Sequence, residues 1–329
     1  MKTMSETPEQ MPDNATDRPL VTFALFAYNQ EKYIRDAVKG AFSQTYEPLE
    51  IVLSDDCSSD RTFEIMQEMA AAYVGPHDVH LRRNEVNLGL ATHVNVVIAN
   101  SYGEIIVVAA GDDVSLPNRA SISVDLLQRH ADATAVLLSA DVIDQSGQIV
   151  GKRLNNAHKA PEHTQTILDL LKWKHITFGA TRAVRREVFT KFGPLNDRCP
   201  TEDTPLLLRS LLLGTNVISQ KKSVLYRRHD GNLSGASSLK KMNIKAIYQQ
   251  YEDDLKTAQG LSLVSDISAT QLRKWMPVDH RIRDIRNNIS LGEKIYLRDA
   301  VFFILHPSNG FRSRVKFIMW YLISSRIFP

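Results

Sequence analysis

The chain has 329 residues, 43% of them hydrophobic, and its 40 Lys and Arg against 37 Asp and Glu give a net charge of +3. This length and apolar content suffice for one large core with an additional segment, and the nearly neutral charge argues against general affinity for nucleic acid. Its two cysteines, Cys57 and Cys199, lie far apart in the sequence, which argues against a disulfide framework and favours a reducing compartment.

Residues 1–18 are polar, lack the features of a secretory signal, and are predicted to be disordered. Between residues 20 and 139, predicted strands and helices alternate with short loops. Apolar runs predict strands at 20–27, 49–54, 78–82 and 104–109, and helical spacing predicts helices after 27, from 61 and at 90–100. This alternation is typical of a three-layer α/β fold with a mostly parallel sheet.

Two of these strands are followed by adjacent carboxylates. Asp55 and Asp56 come after the second predicted strand, and Asp112 and Asp113 come after the fourth. Ligands of open α/β sheets bind outside the carboxyl ends of the strands, and Mg²⁺ and Mn²⁺ prefer carboxylate and phosphate oxygens. The pairs therefore indicate a cleft for a nucleotide and a cation, although turns and helix N-caps use the same residue types.

Further polar segments follow in the second half of the chain. The stretch 151–166 is polar and irregular, as expected of a lid or an acceptor-side loop. Glu202 and Asp203 directly precede a leucine-rich helix, where capping explains an acidic pair as well as catalysis does. The later basic loop contains His229; imidazole and guanidinium groups suit Mn²⁺ and phosphate binding, while an ordinary exposed loop has the same composition.

Residues 239–329 are predicted to form a separate, helical and basic region. From residue 281 onward the sequence has nine Lys or Arg and three acidic residues. The apolar runs at 301–305 and 315–328 are both shorter than the ~18–20 residues that a membrane-spanning helix needs. Basic residues beside aromatic ones favour a helix in the interface of an anionic membrane, but packing on the catalytic domain or a dimer contact gives the same pattern.

Taken in order, these motifs resemble those of glycosyltransferase family 2, which comprises inverting enzymes with the GT-A nucleotide-sugar fold. The resemblance covers about residues 19–235. It rests on the segments FAYNQEKYIRDAVKGAFSQTY, LSDDCSSD, NEVNLGLATHVNVVIANSYGE, AAGDDVSLP, TEDTPLLLRSLLLG and YRRHDGNLS. It implies a GT-A catalytic domain at 19–238, followed by the helical region.

The resemblance also implies which residues bind the donor. Asp56 would contact the nucleobase, flanked by the backbone at Ala27 and Tyr28. Asp112 would approach the ribose, and Arg228 would contact the diphosphate.

A metal ion and a general base are implied in the same way. Asp113 would coordinate a Mn²⁺ or Mg²⁺ ion that bridges the donor diphosphate, with His229 completing the metal shell. Asp203 would be the general base and would take the proton from an acceptor hydroxyl. The hydroxyl oxygen attacks the anomeric carbon at the same time, which inverts the configuration there.

Three departures from the family pattern carry their own expectations. Ala110 and Gly111 precede the second acidic pair, so fewer carboxylates are present than is usual and metal affinity is expected to be modest. Cys57 stands where the family usually has glycine, so a left-handed backbone there would be strained. The C-terminal Gln-x-x-Arg-Trp motif of processive synthases is absent, which favours transfer of a single sugar.

The sequence thus predicts a metal-dependent inverting glycosyltransferase that moves one sugar from a nucleotide-sugar donor to a growing, lipid-linked surface glycan, as in lipopolysaccharide or capsule synthesis. We expect it in the cytoplasm, peripherally bound to the anionic inner face of the cell membrane, with no nucleic-acid partner. A nucleotidyltransferase is one alternative, although FAYNQEKY lacks the Gly-rich basic phosphate loop of that class. A catalytically degenerate nucleotide-sugar-binding scaffold is the other.

Overall fold

The computed structural model describes residues 18–153, 160–232, 243–292 and 295–307, together with residues 315, 317 and 318. All but the last residue of the predicted disordered segment 1–18 lies outside these ranges. Most of the apolar run 315–328 lies outside them as well.

Strands and helices alternate through the first half of the chain, as predicted, and the first four strands and the helix predicted at 90–100 lie within two residues of their predicted bounds. In chain order the elements are β1 (Val21–Ala27), α1 (Ile34–Phe42), β2 (Leu49–Asp55), α2 (Thr62–Ala71), β3 (Asp78–Arg83), α3 (Leu90–Ala99), β4 (Ile105–Ala110), β5 (Val114–Ser115), α4 (Arg119–Arg129), β6 (Ala133–Ile143), β7 (Ile149–Arg153), β8 (Glu162–Gln165), α5 (Ile167–Leu171), β9 (Arg182–Arg185), α6 (Glu187–Thr190), α7 (Asp203–Leu213), β10 (Thr215–Arg227), α8 (Ile244–Gly260), α9 (Asp266–Leu291) and α10 (Leu297–Leu305). A 3₁₀ turn at Gly179–Thr181 precedes β9.

The strands form a single sheet in the order β3-β2-β1-β4-β9-β6-β10-β5, with β7 added to β6 and β8 added to β10. Strands β3, β2, β1 and β4 pair in parallel, and so do β6 and β10. The inserted strand β9 is antiparallel to both of its neighbours. The predicted α/β fold with a mostly parallel sheet is therefore confirmed. The stretch 151–166, expected to be an irregular loop, instead contains the end of β7 and all of β8.

Helices cover both faces of this sheet. Alternate side chains of a strand point to opposite faces, so Phe23 and Leu25 of β1 pack with α1 on one side, while Ala24 and Phe26 pack with α3 and α7 on the other. Because β1 is buried on both faces, its sequence is almost uniformly apolar rather than alternating. The result is the three-layer arrangement expected from the sequence.

The C-terminal helices pack on the part of the chain that contains the sheet. Leu255 of α8 and Leu272 and Met276 of α9 belong to the same buried cluster as Leu206 of α7. Helix α10 packs in a smaller, separate cluster with the end of α9, through Phe303. The helical character of this region is confirmed, and the limits of the three predicted segments stay a prediction.

A buried ion pair links α7 to α8. The Nε atom of Arg209 donates to both carboxylate oxygens of Asp254, at 3.0 Å each, and both side chains are almost fully buried. The same guanidinium donates to the carbonyl oxygens of Gly193 and Pro194. Four hydrogen bonds thus converge on one buried cation and fasten α8 to the segment before α7.

Within the described part of the chain, no helix combines the length and the apolar character needed to cross a bilayer.

Candidate active site

The candidate site lies along the edge where the parallel strands have their carboxyl ends. Asp56 follows β2, Asp112 follows β4, and His229 follows β10. Because β9 is antiparallel to β4, with Ala183 opposite Val107, the start of β9 lies at this same edge. The fold therefore brings together segments that are more than 170 residues apart in the sequence.

The loops after β1 and β2 are held together by reciprocal hydrogen bonds. The backbone N–H of Asn29 donates to Ser58 Oγ at 2.8 Å, and the side-chain oxygen of Asn29 accepts from the backbone N–H of Ser59 at 2.8 Å. The N–H of Gln30 donates to Thr62 Oγ1 at 2.7 Å. These bonds hold the two loops together at the edge of the sheet where a nucleotide is predicted to bind.

Ala27, Tyr28 and Asp56, predicted to surround a nucleobase, do lie side by side. The N–H of Asp56 donates to the carbonyl oxygen of Ala27 at 2.9 Å, and Tyr28 is 48% exposed. The Asp56 carboxylate is buried, and it accepts hydrogen bonds from the N–H groups of Leu88 and Gly89 at 2.9 and 3.0 Å. It therefore orders the loop before α3, and its contact with a base stays a prediction.

Behind Asp56 lies a polar network that sequence reasoning did not identify. His93 Nε2 and Ser54 Oγ are 2.5 Å apart, Arg82 donates to Ser54 and to Asn84, and Asn84 donates to Asp56 at 2.6 Å. Burial lowers the pKa of His93 to about 4, so its imidazole is neutral near pH 7. No sequence signal connected these residues, because they come from three different elements.

The loop after β2 includes the expected strained position. Cys57 has a φ of 61°, in the left-handed region where glycine is favoured. Its Sγ donates to the carbonyl oxygen of Glu85 at 3.4 Å. The loop thus keeps the conformation that glycine would adopt.

Asp112 is the carboxylate that faces His229. Asp112 Oδ2 lies 2.9 Å from His229 Nε2 and accepts from Asn232 Nδ2 at 3.2 Å. The His229 ring also packs on Tyr33, the residue directly before α1, with 4.7 Å between ring centroids. The sequence-based prediction paired Asp113 with His229; the geometry pairs Asp112 with it, and Asn232 was not predicted.

Asp113 points into the protein. Its Oδ1 accepts from the backbone N–H of Arg227 at 2.8 Å, and the side chain is buried. Burial, followed by repulsion from the Asp112 carboxylate, raises the pKa of Asp113 well above its usual range. Burial likewise lowers the pKa of the nearby Arg119 to about 10, an effect that Asp113 partly offsets. The contacts of Asp113 are therefore those of a residue that joins β10 to the end of β4.

Arg227, rather than its neighbour Arg228, organises this part of the site. Its Nε donates to the backbone oxygen of Asp112 at 3.0 Å, its Nη2 lies 3.1 Å from Asp36 Oδ2, and its guanidinium lies over the Tyr33 ring. Arg228, predicted to contact a diphosphate, is exposed, and its backbone N–H donates to Ile143. Its contact with a diphosphate stays a prediction.

Gly111 explains why the acidic pair is preceded by a small residue. A Cβ atom at this position would overlap with Gln30 Oε1 and would lie 3.0 Å from Ile34 Cδ1. The end of β4 therefore packs closely on the loop after β1, and a larger residue at position 111 would displace the Gln30 and Ile34 side chains.

Asp112 and His229 have the chemistry to hold a divalent cation. Within the described ranges, no group of three or more His, Cys, Asp or Glu side chains is arranged to hold a metal ion. Mg²⁺ sites that act on phosphates usually take only one or two carboxylates from the protein, with water and ligand phosphate oxygens completing the shell. The adjacent carboxylate oxygen and imidazole nitrogen fit such an open site for Mn²⁺ or Mg²⁺.

Asp203 begins α7 at the same edge of the sheet. Its side chain is 34% exposed, its Oδ1 lies 3.4 Å from Arg182 Nη1, and its Oδ2 accepts from the N–H of Gly179 at 3.2 Å. Burial, together with the adjacent Asp203 carboxylate, raises the pKa of Glu202 to about 8. Glu202 is thus largely protonated at pH 7, and Arg182 contacts the neighbouring Asp203 carboxylate.

Comparison with known proteins finds a matching family model and several proteins of similar sequence. A family model described as Glycosyl transferase family 2 matches residues 22–193. An uncharacterized glycosyltransferase of Haemophilus influenzae is 24% identical over 260 residues, which is 75% of this chain and 80% of that protein. The uncharacterized protein Rv1520 of Mycobacterium tuberculosis is 35% identical over 129 residues, 39% of this chain, and the match spans only 37% of that protein.

Solved structures share the fold at low sequence identity. S. aureus TarS 1–349 in complex with UDP-GlcNAc is 18% identical with a TM-score of 0.62, covering 91% of this chain and 81% of that one. The mannosyltransferase PcManGT from Pyrobaculum calidifontis, in complex with GDP-Man and Mn²⁺, is 16% identical with a TM-score of 0.56, covering 94% and 86%. At these identities the likeness establishes the fold alone.

Proposed function

The chain belongs to glycosyltransferase family 2 and has the GT-A fold, and on this premise we propose that it transfers a single sugar from a nucleotide-diphosphate donor to an acceptor hydroxyl, with inversion at the anomeric carbon. The observation that carries the proposal is the position of the Asp112–His229 pair and of Asp203 at one edge of the sheet. The pair supplies ligands for a cation beside a diphosphate, and Asp203 supplies a base for the acceptor.

On the donor side, Ala27, Tyr28 and Asp56 form the nucleobase end of the site. Neighbouring structures contain UDP-GlcNAc or GDP-Man, which supports a nucleotide-sugar donor. Asp112, rather than Asp113, holds the cation together with His229, because it is the carboxylate next to that imidazole. A bound Mn²⁺ or Mg²⁺ ion supplies positive charge that offsets the negative charge of the departing nucleoside diphosphate.

On the acceptor side, Asp203 removes the proton from the attacking hydroxyl. Its partial exposure leaves the carboxylate accessible to a sugar hydroxyl, while Arg182 and the Gly179 N–H hold it in place. Arg228, exposed on the loop after β10, contacts the diphosphate. Deprotonation by a positioned carboxylate requires hydrogen-bond distance between the two oxygens.

The acceptor in this proposal is a lipid-linked precursor of a surface glycan, and the enzyme works at the inner face of the cell membrane. Helix α10 supports this location, because Leu297, Val301 and Leu305 are 52%, 45% and 70% exposed at helical spacing beside the exposed Arg298. Apolar side chains next to basic ones suit the interface of an anionic bilayer.

Replacing the three apolar residues of α10 by Ser should reduce binding to phosphatidylglycerol vesicles without changing the melting temperature. Unchanged binding would contradict the membrane role.

Turnover tests the proposed reaction. The protein is incubated with UDP-GlcNAc, UDP-glucose, GDP-mannose, dTDP-glucose and a CDP-sugar, each with Mn²⁺ and simple sugar acceptors, and release of the nucleoside diphosphate is measured. We expect release from one donor class, and loss of release in Asp203→Asn with nucleotide affinity retained. Nucleotide binding without turnover of any donor would favour the degenerate scaffold, and wild-type turnover in Asp203→Asn would remove Asp203 as the base.

A further inference from the structure

Gly179 lies unusually close to the carboxylate of Asp203. A Cβ atom at residue 179 would overlap with Cγ and with both carboxylate oxygens of Asp203. The backbone of Gly179 has no left-handed φ, so its conformation does not demand glycine. Glycine is required at residue 179 for lack of space, because the Asp203 carboxylate occupies the position that the side chain of any other residue would take.

The two oxygens of that carboxylate have separate donors. Oδ2 accepts from the Gly179 N–H at 3.2 Å, and Oδ1 lies 3.4 Å from Nη1 of Arg182. One donor is main chain and the other is a guanidinium that is itself 1% exposed. Two donors on different oxygens restrict rotation about the bond to the carboxyl carbon, which a single hydrogen bond would not do.

Arg182 also fixes the backbone on both sides of this contact. Its Nη1 donates to the main-chain oxygen of Asp203 at 2.8 Å, and its Nη2 donates to Thr177 Oγ1 at 3.0 Å. It therefore joins the first residue of α7 to the segment that contains Gly179. A buried cation is costly unless it is paired, and the contacts of this one are concentrated on Asp203.

We propose that Gly179 and Arg182 are positioning residues for Asp203, setting the orientation of its carboxylate toward the acceptor hydroxyl. The inference rests on the proposed function, in which Asp203 is the base. Gly179 acts by leaving space and by donating its N–H, and Arg182 acts by holding the other oxygen. Neither residue has to contact the donor or the acceptor for this role. Substituting either one should therefore lower the rate of transfer without changing nucleotide binding.

Gly179→Ala is the most direct test. The group it meets is the end of a rotatable side chain, so the added methyl should turn the carboxylate away and leave the fold intact. Misplacing a catalytic group by about 1 Å can cost roughly 100-fold in rate. The donor is the nucleotide sugar that the wild type uses in the turnover experiment above, and release of its nucleoside diphosphate is measured. We expect kcat to fall roughly 100-fold. The KM for the donor and the affinity for its nucleotide should stay within about twofold of the wild-type values.

Gly260→Ala is the matched control. A Cβ atom at Gly260, at the end of α8, would meet nothing within 4 Å, so kcat should not change. A milder change at the second residue, Arg182→Lys, keeps the charge but not the shape of the guanidinium, and should also lower kcat at unchanged nucleotide affinity. The melting temperature of each variant is measured alongside.

A double variant distinguishes positioning from an independent role. If Gly179 acts only through Asp203, then Gly179→Ala in the Asp203→Asn background should not lower the residual rate further. A further tenfold loss in that background, or wild-type kcat in Gly179→Ala alone, would overturn the inference while leaving the base assignment standing. Full activity of Asp203→Asn would instead overturn the proposed function.

Discussion

At the residue scale, two adjacent carboxylates have different surroundings. Asp112 lies beside His229 and Asn232, at the loop after β10. Asp113 accepts a main-chain hydrogen bond from Arg227 and is turned inward. The difference follows from the short connection between β4 and β5, which directs successive side chains to opposite sides. Only Asp112 therefore lies beside His229, as the proposed cation site requires.

This difference predicts opposite effects for two conservative changes. Asp112→Asn should weaken Mn²⁺-supported nucleotide binding by at least about tenfold, since it removes a charged ligand, with little change in melting temperature. Asp113→Asn should affect chiefly the melting temperature. Calorimetric titration with UDP or GDP, with and without Mn²⁺, measures the first effect. If instead Asp113→Asn weakened nucleotide binding and Asp112→Asn changed only the melting temperature, the cation would be assigned to Asp113, as the family resemblance implied.

Glu202 predicts a particular pH dependence of stability. Its pKa is raised to about 8 in the folded protein, from an ordinary value of 4.5. Between these values the folded protein keeps a proton that the unfolded chain has lost, so the wild type should lose stability relative to Glu202→Gln as pH rises from about 5 to about 8. Melting temperatures across this range measure it, with the exposed Glu64→Gln as control. A constant difference between Glu202→Gln and wild type would contradict the prediction.

At the element scale, local pattern was sufficient for the first half of the chain. Strands such as β1 and β2 are buried runs bounded by polar residues, so their bounds could be predicted within two residues, and the regular apolar spacing of α1 indicated a helix. The reversal of β9 and the additions of β7 and β8 could not, because strand direction depends on which elements the chain meets after a long loop. Periodicity contains no information on such partners.

The same limit applied to the site. The motifs indicated Asp56, Asp112, Asp203 and His229, and all four lie at the predicted edge of the sheet. The central role of Arg227 could not be predicted, since it depends on contacts with α1 and with the end of β4, more than 100 residues away. Sequence order identified the loop, and only the fold distinguishes which of its two arginines is buried.

The Arg209–Asp254 pair predicts that α8 is integral to the catalytic fold. Removing one partner of a buried pair leaves the other charge uncompensated, which typically costs about 3–5 kcal/mol. Asp254→Asn should therefore lower the free energy of unfolding by that amount, measured by urea denaturation. The neighbouring Asp253→Asn, which is only partly buried, should cost far less. Equal effects of the two variants would show that the pair does not stabilise this junction.

At the scale of the whole molecule, the candidate site residues lie along one edge of the sheet, and helices α8 and α9 pack in the layer on one of its faces. Helices α8 and α9 complete the core beside α7, the helix that begins at Asp203. Helix α10 has an exposed apolar side beside basic residues. In the proposed reaction, a membrane-bound acceptor would reach Asp203 and the Asp112–His229 pair, which lie at one edge of the same sheet.

Binding of nucleoside diphosphates tests the central claim most directly, because it requires neither the acceptor nor the sugar to be known. UDP, GDP, dTDP and CDP are each added to the purified protein with and without Mn²⁺, and the shift in melting temperature is measured. The account predicts stabilisation by one nucleotide class, dependent on Mn²⁺ and lost in Asp112→Asn. No stabilisation by any of the four, or stabilisation that persists unchanged in Asp112→Asn without metal, would contradict it.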